Sequence, residues 1–403
     1  MVRAVTRTAM VFLVYRYISR SRIEIFFEIF LGLCETPTTT ATAQDPPAHS
    51  LMRSRAISAA LLAAAAAAQC VAPGTCTPPA TKYSRVIAGP TPGRQWNIAG
   101  GFCGAFSLQH AALAQGAWIS QDLVRKANRD QPGPHNMHGD TTVGFEVMPS
   151  NVAYTAAALR LAFDEWDYTQ PQPQAAAYLA WMKRQLAAGS VVAFFPICKG
   201  DSHECYTDSC PNGGHCDHVE PIYGLFSNHP LSDGTVYADD YILHASDQDL
   251  EPYYRPLLSL PDTMAMEGNC ASAGAGFGRN EMYPCIPEDV TYGLAVTGLN
   301  VSGVALQPVA LLTAGSAGEP DVRTGAPAVP LSGTVIVSAL TAGAKYALYR
   351  YNSTTSLPAS PPLAATAQAV TRFTAQGDTW QWADPVSFPS NGATYYLAAA
   401  DNA

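Results

Sequence analysis

Charge is scarce in this chain of 403 residues: 14% are Asp, Glu, Lys or Arg, while 48% are apolar. That balance excludes a chain that stays unfolded, because disorder needs the opposite one. The length leaves room for two domains or one large one. Positive charge is the scarcer sign, with 23 Lys and Arg against 32 Asp and Glu. An acidic chain without a basic stripe argues against nucleic acid as a partner. Long apolar runs are missing too. Near the N-terminus MVFLVY is short and IEIFFEIFLGL is interrupted by charge, so neither spans a bilayer cleanly. The loop with Cys198, His203, Cys205, Cys210, His215 and Cys216 lacks the C-x-x-C pairs of a structural zinc site, which makes disulfides the better reading. No metal and no cofactor is expected.

What is present begins with a targeting signal. From Met52 the chain reads MRSRAISAALLAAAAAAQC: two arginines, an apolar run, and small residues Ala66-Ala67-Ala68 suited to cleavage. That is the pattern of a secretory signal peptide over 52–68, and it implies a secreted protein with no stable membrane association after cleavage. Residues 1–51 fit poorly ahead of it and read as a doubtful upstream extension, with a type II membrane anchor as the alternative. Cleavage after Ala68 leaves 16 basic and 28 acidic residues. The sequons at Asn300 and Asn352 agree with export and glycosylation.

Nine cysteines remain after cleavage, an odd number, so at least one is left over as a candidate reactive thiol. Eight of the nine lie in loop-like surroundings rich in Gly, Pro, Asn or Asp. Cys103 differs. In NIAGGFCGAFSLQHAALAQGA a flexible loop gives way to a helical pattern in which Phe106, His110 and Leu113 recur at i, i+3, i+4 spacing. Cys103 would sit on the first turn of that helix, where backbone N–H groups and the dipole favour a thiolate.

Residues 69–90 read as a Pro/Thr-rich linker, and 91–298 alternate helical and strand patterns. The spacing predicts helices in WISQDLVRKAN, in SNVAYTAAALRLAF behind a Ser150 or Asn151 cap, and in QAAAYLAWMKRQLAAG ending at Gly189. SVVAFFPI, HVEPIYGLF and TVYADDYILHA predict strands. After about Leu299 the pattern changes to short β-rich runs, VALLTAG, GTVIVSAL, KYALYRYN, AVTRFTAQ, TWQWADP and TYYLAAA, at the spacing of an all-β sandwich over 299–403.

A thiolate nucleophile needs a base and a group that orients the base. His49 lies in the leader, His110 two turns beyond Cys103, and His135 and His138 in a polar loop. His203, His215 and His229 read as exposed loop residues, and His244 as a satisfied core histidine. His218 opens the strand-like run HVEPIYG, where a strand would hold the ring rigidly, and Asp247 follows the apolar stretch YILHA. Pro221 within that run suggests an edge strand or a bulge. Trp118, Trp166 and Trp181 read as core or groove wall, and Trp380 and Trp382 as core packing before a ligand platform.

On these residues the stretch from about 95 to 250 resembles the papain-like cysteine peptidases, most of all the C39-like group. Cys103-Gly104-Ala105-Phe106-Ser107 is similar to the nucleophile motif. Asn97, six residues before the cysteine, stands where the family has an oxyanion amide, with Gln95 as the alternative. His218 and the glycine that ends HVEPIYG match the strand of the base, and Asp247 matches the orienting residue of the next strand, with Asp239 and Asp240 as substitutes. The resemblance implies an α+β papain-like domain, with the nucleophile's helix packed on an antiparallel sheet; the β-rich runs after it add an Ig- or fibronectin-like sandwich. It implies a Cys103–His218–Asp247 triad with Asn97 and the Cys103 N–H receiving the oxyanion, and a thioester acyl-enzyme formed from a peptide or amide substrate. Water as acceptor makes a cysteine peptidase or amidase; an amine makes a transglutaminase-like acyltransferase. A catalytically inactive binding protein whose sandwich takes a protein or a glycan is the reading from another class.

Overall fold

Helices and strands alternate along the first two thirds of the described chain, and strands dominate the last third. The computed structural model describes residues 77–91, 93, 95–96, 101–129, 146–149, 151–195, 197–199, 215–245, 252–260, 291–313 and 331–401. These belong to one compact unit, Ala67–Ala403. The upstream segment, the signal pattern and most of the cysteines lie outside the described residues.

The chain enters at β1 (Tyr83–Val86), so the end of the segment read as linker is a strand. Next come α1 (Cys103–Leu113), β2 (Ala117–Ile119) and α2 (Gln121–Arg129). Then follow α3 (Val152–Ala158), β3 (Leu161–Glu165), α4 (Ala175–Ala188) and β4 (Val191–Phe194). A small hairpin, β5 (Ile197–Lys199) and β6 (His215–Asp217), precedes β7 (Glu220–Ser227), β8 (Tyr241–Ala245), β9 (Pro252–Pro256) and β10 (Gly293–Leu299). The remainder is strand: β11 (Leu306–Gln307), β12 (Val309–Thr313), β13 (Gly333–Val337), β14 (Lys345–Tyr351), β15 (Ala369–Thr374), β16 (Trp380–Ala383) and β17 (Ala393–Ala400). The architecture is mixed α+β, with few helices and several antiparallel sheets.

The largest sheet runs β3-β10-β4-β7-β8-β9, with β1 also on β7. β4 pairs with Glu220–Ile222 of β7 and β1 with Gly224–Ser227, so the two share one side of that strand in succession. Every residue of β4 and β7 is buried. α1 and α4 both pack on these two strands. α1 is buried at all eleven positions, so it is a core helix and not an amphipathic surface one. Burying Phe106, Leu108 and Leu113 contributes roughly 1.5–3 kcal/mol each. α4 ends where the glycine signal placed its end, at Gly189 in the left-handed region (φ 98°).

Three expectations are corrected. WISQDLVRKAN is not helical throughout: Trp118 and Ile119 lie in β2, held by pairing with β17, and α2 begins at Gln121. SNVAYTAAALRLAF is not one helix: α3 stops at Ala158, Arg160 turns at φ 62°, and Leu161–Glu165 becomes β3 against β10. The turn is held from far along the chain, because Asn300 N–H donates to the Arg160 carbonyl (2.8 Å) and the guanidinium donates to the Asn300 carbonyl (2.8 Å). TVYADD is not strand; β8 begins at Tyr241. Of the two readings of Pro221, the bulge holds and the edge strand does not: Pro221 lies opposite Ala193 of β4 in an inner strand, and the register shifts just beyond it, between Ile222 and Gly224.

The last strands form a five-stranded sheet, β11-β17-β14-β15, extended by β2 on β17, and a three-stranded sheet, β12-β13-β16. Arg350 of β14 donates to Asp384 beyond β16 (2.8 Å), which links the two sheets. β2, from the segment read as catalytic, pairs with β17 of the segment read as a separate sandwich. Tyr395 O–H donates to the Leu159 carbonyl (3.0 Å) and Trp118 Nε1–H to the Pro389 carbonyl (2.8 Å). The two segments therefore share a core.

Candidate active site

Cys103 is the first residue of α1, 9% exposed, and carries a thiol. The N-cap, Phe102, supplies no side-chain acceptor to the first turn. A helix start of this kind turns backbone N–H groups and positive partial charge toward an anion. The residue after the cysteine must be small, since a Cβ on Gly104 would collide with the Val147 carbonyl oxygen. Gly101 takes a left-handed φ of 63°, and a Cβ there would meet the Glu146 carboxylate. Arg125, fully buried, donates to the Gly101 carbonyl (2.5 Å) and lies over the Phe102 ring at 4.6 Å, which fixes the loop entering the helix.

Gln95 anchors its amide at the start of α1. Its Oε1 accepts the Phe102 N–H at 2.9 Å, one residue before Cys103, so its Nε2–H2 is the donor end of a group anchored at the helix start. Trp96 N–H donates to Gln121 Oε1 (2.9 Å), Gln121 Nε2 to Gln109 Oε1 (3.1 Å), and Gln109 Nε2 to the Ile119 carbonyl (3.0 Å). This relay of buried amides pins the 95–96 segment to α1, α2 and β2. Asn97, the first sequence candidate, lies outside the described residues.

His218 stands in the two-residue step between β6 and β7, 8% exposed. The Ser107 hydroxyl donates to the Val219 carbonyl at 3.1 Å. Ser107 is one turn after Cys103 and Val219 directly follows His218, so this bond joins the segments that carry thiol and imidazole. His218 Nε2 lies 3.7 Å from Glu220 Oε1, and His244 Nδ1 lies 3.2 Å from Glu220 Oε2. Glu220 is 2% exposed. Burial pushes its carboxyl up, but the charges of His244, His218 and Arg255 outweigh burial and hold it below its usual value. Tyr253 stacks on the His244 ring at 5.6 Å.

Glu220 was missed by sequence reasoning, although its signal was present: in HVEPIYG it stands two residues after His218, and alternate strand residues share a face. Asp247, the expected orienting residue, lies outside the described residues. Its substitutes are engaged elsewhere. Asp239 is half-buried and accepts from Asn228 (2.7 Å), and Asp240 is buried against Lys183 Nζ at 2.8 Å. His244, read as a satisfied core histidine, is buried but faces the carboxylate that faces His218. His229 stacks on Tyr237 at 3.5 Å, away from the site. Trp118, Trp166 and Trp181 are buried, as core residues should be, and Trp380 lies flat on Phe373 at 3.8 Å. Among the described residues no group of three or more His, Cys, Asp or Glu is placed to hold a metal ion.

The chain matches no protein-family model and no curated protein.

Proposed function

We propose that this chain is a secreted thiol acyl hydrolase, a cysteine peptidase or amidase of papain-like arrangement. The observation that carries the reading is the Ser107–Val219 hydrogen bond, which joins the helix start bearing Cys103 to the backbone beside His218. The helix N-terminus, the anchored Gln95 amide and the buried Glu220 carboxylate supply the remaining parts of such a site.

In this reading His218 takes the thiol proton on Nδ1, because its Nε2 faces Glu220. The Cys103 thiolate adds to the carbonyl carbon of an amide. The oxyanion is received by the Cys103 backbone N–H and Gln95 Nε2–H2, each donor worth on the order of 3 kcal/mol in the transition state. The imidazolium returns its proton to the leaving amine, the C–N bond breaks, and a thioester remains. Water, activated by the now neutral imidazole, adds to the thioester and releases the acid and the thiol. The two-sheet array over 306–400 is read as a sandwich built onto the catalytic part.

The test is a comparison of the full chain with Cys103→Ala. With iodoacetamide at neutral pH, Cys103 alkylates far faster than glutathione, and an electrophilic amide-type probe labels the wild type and not the variant. Alkylation no faster than glutathione's overturns the reading.

A further inference from the structure

A carboxylate has two oxygens, and in Glu220 each faces a different imidazole. Oε1 lies 3.7 Å from His218 Nε2 and Oε2 lies 3.2 Å from His244 Nδ1. The three side chains come from the step before β7, from β7 and from β8, and all are at least nine-tenths buried. β9 adds Arg255, itself 2% exposed, as the further charged group facing the carboxylate, and Tyr253, whose ring covers His244. β4 contributes Phe194 opposite Glu220 in the ladder. A lone buried carboxylate is costly; with an imidazole facing each oxygen it is retained as an anion of defined direction.

We propose that Glu220 and His244 are positioning residues for His218: the second histidine holds one carboxylate oxygen, so that the other accepts Nε2–H of the base and leaves its Nδ1 to take a proton. The inference rests on the reading of His218 as the base. It places the orienting group at the start of β7, two residues after the base, rather than on the next strand. The next strand contributes a histidine that orients the orienter. The 3.7 Å separation is an ion-pair distance, and contacts of this kind shorten as charge develops on the ring. An amide cannot substitute for the carboxylate. Glutamine at 220 has one acceptor oxygen and one donor NH2, so one of the two rings would face a donor. At 244, asparagine keeps a donor near the position of Nδ1, and leucine removes it.

The experiment reads the His218 tautomer by 15N NMR of histidine-labelled full chain carrying Cys103→Ala, so that the result does not depend on turnover. The Nε2–H form dominates in that background. It becomes a mixture of tautomers in Glu220→Gln and in His244→Leu, and is restored in His244→Asn. With Cys103 intact, alkylation at pH 6.5 slows on the order of tenfold in Glu220→Gln, the low end of the effect of one adjacent opposite charge. An unchanged His218 tautomer in Glu220→Gln overturns the inference. Should that variant not fold, equal spectra for His244→Leu and His244→Asn overturn it instead. A tautomer shift together with a wild-type thiol no more reactive than glutathione keeps the inference and removes the hydrolase.

Discussion

Ser107 and Val219 are 112 positions apart in sequence, yet the hydroxyl of one donates to the carbonyl of the other at 3.1 Å inside the core. The bond sets the distance between the start of α1 and the start of β7. Ser107→Ala is expected to cost about 1 kcal/mol, since it leaves a buried carbonyl without this donor. Cys103 alkylation should slow with it. Urea denaturation and an alkylation time course on the same sample check both, and a stability loss with unchanged alkylation would make the bond purely architectural.

Gln95 is expected to act on the transition state. Gln95→Ala should lower kcat roughly a hundredfold, the effect of losing one oxyanion donor, with little change in KM. Steady-state kinetics on a peptide amide separate this from a binding defect, which would raise KM and spare kcat.

His110 predicts an acid-side loss of stability. Burial lowers its pKa from 6.5 to about 4, against the pull of the Thr91 and Phe106 carbonyls at 2.7 and 3.0 Å from its ring nitrogens. Below pH 6.5 the unfolded chain takes up a proton that the folded one refuses until about pH 4. Stability therefore falls as pH drops through that interval, by about 3 kcal/mol from this group, and levels below it. Urea midpoints between pH 7 and 4 should show this slope in the wild type and a flatter one in His110→Gln.

Lys183 and Asp240 form a fully buried ion pair at 2.8 Å between α4 and the start of β8. Removing one partner leaves an uncompensated charge, so Lys183→Met is expected to lose about 3–5 kcal/mol. Lys183→Met with Asp240→Leu should recover much of it. Thermal or urea unfolding of the single and double variants decides the point.

The register of β5 on β6 sets Cys198 opposite Cys216, two residues before His218. Directly opposed strand residues have Cα atoms about 4.5–5.5 Å apart, inside the span that a disulfide bridges. A non-reducing peptide map should contain Cys198 joined to Cys216. Finding both cysteines in other bridges would show that the hairpin is closed in another way.

Much of this was legible in the residues. Gly189 ended α4 because left-handed backbone favours glycine, and the alternation in GTVIV and KYALYRY announced β13 and β14. Cys103 stood at a loop-to-helix junction because small residues precede it and helix formers follow it. The strand β3 was not legible. LRLAF favours helix by local propensity, and Asn300, 140 residues away, turns it at Arg160. Glu220 was half legible: its spacing from His218 was in view, but that its second oxygen meets His244 depends on how β8 registers against β7.

By itself the sequence determined which side chains could do chemistry and most of the local elements, because turn glycines, strand alternation and helical spacing act over a few residues. Tertiary structure decided which of those side chains meet. It brought Gln95 to the helix start, set Glu220 between two histidines, and drew the last strand onto β2. Pairing between distant strands and the burial of charge depend on the whole core, and no local pattern carries that information.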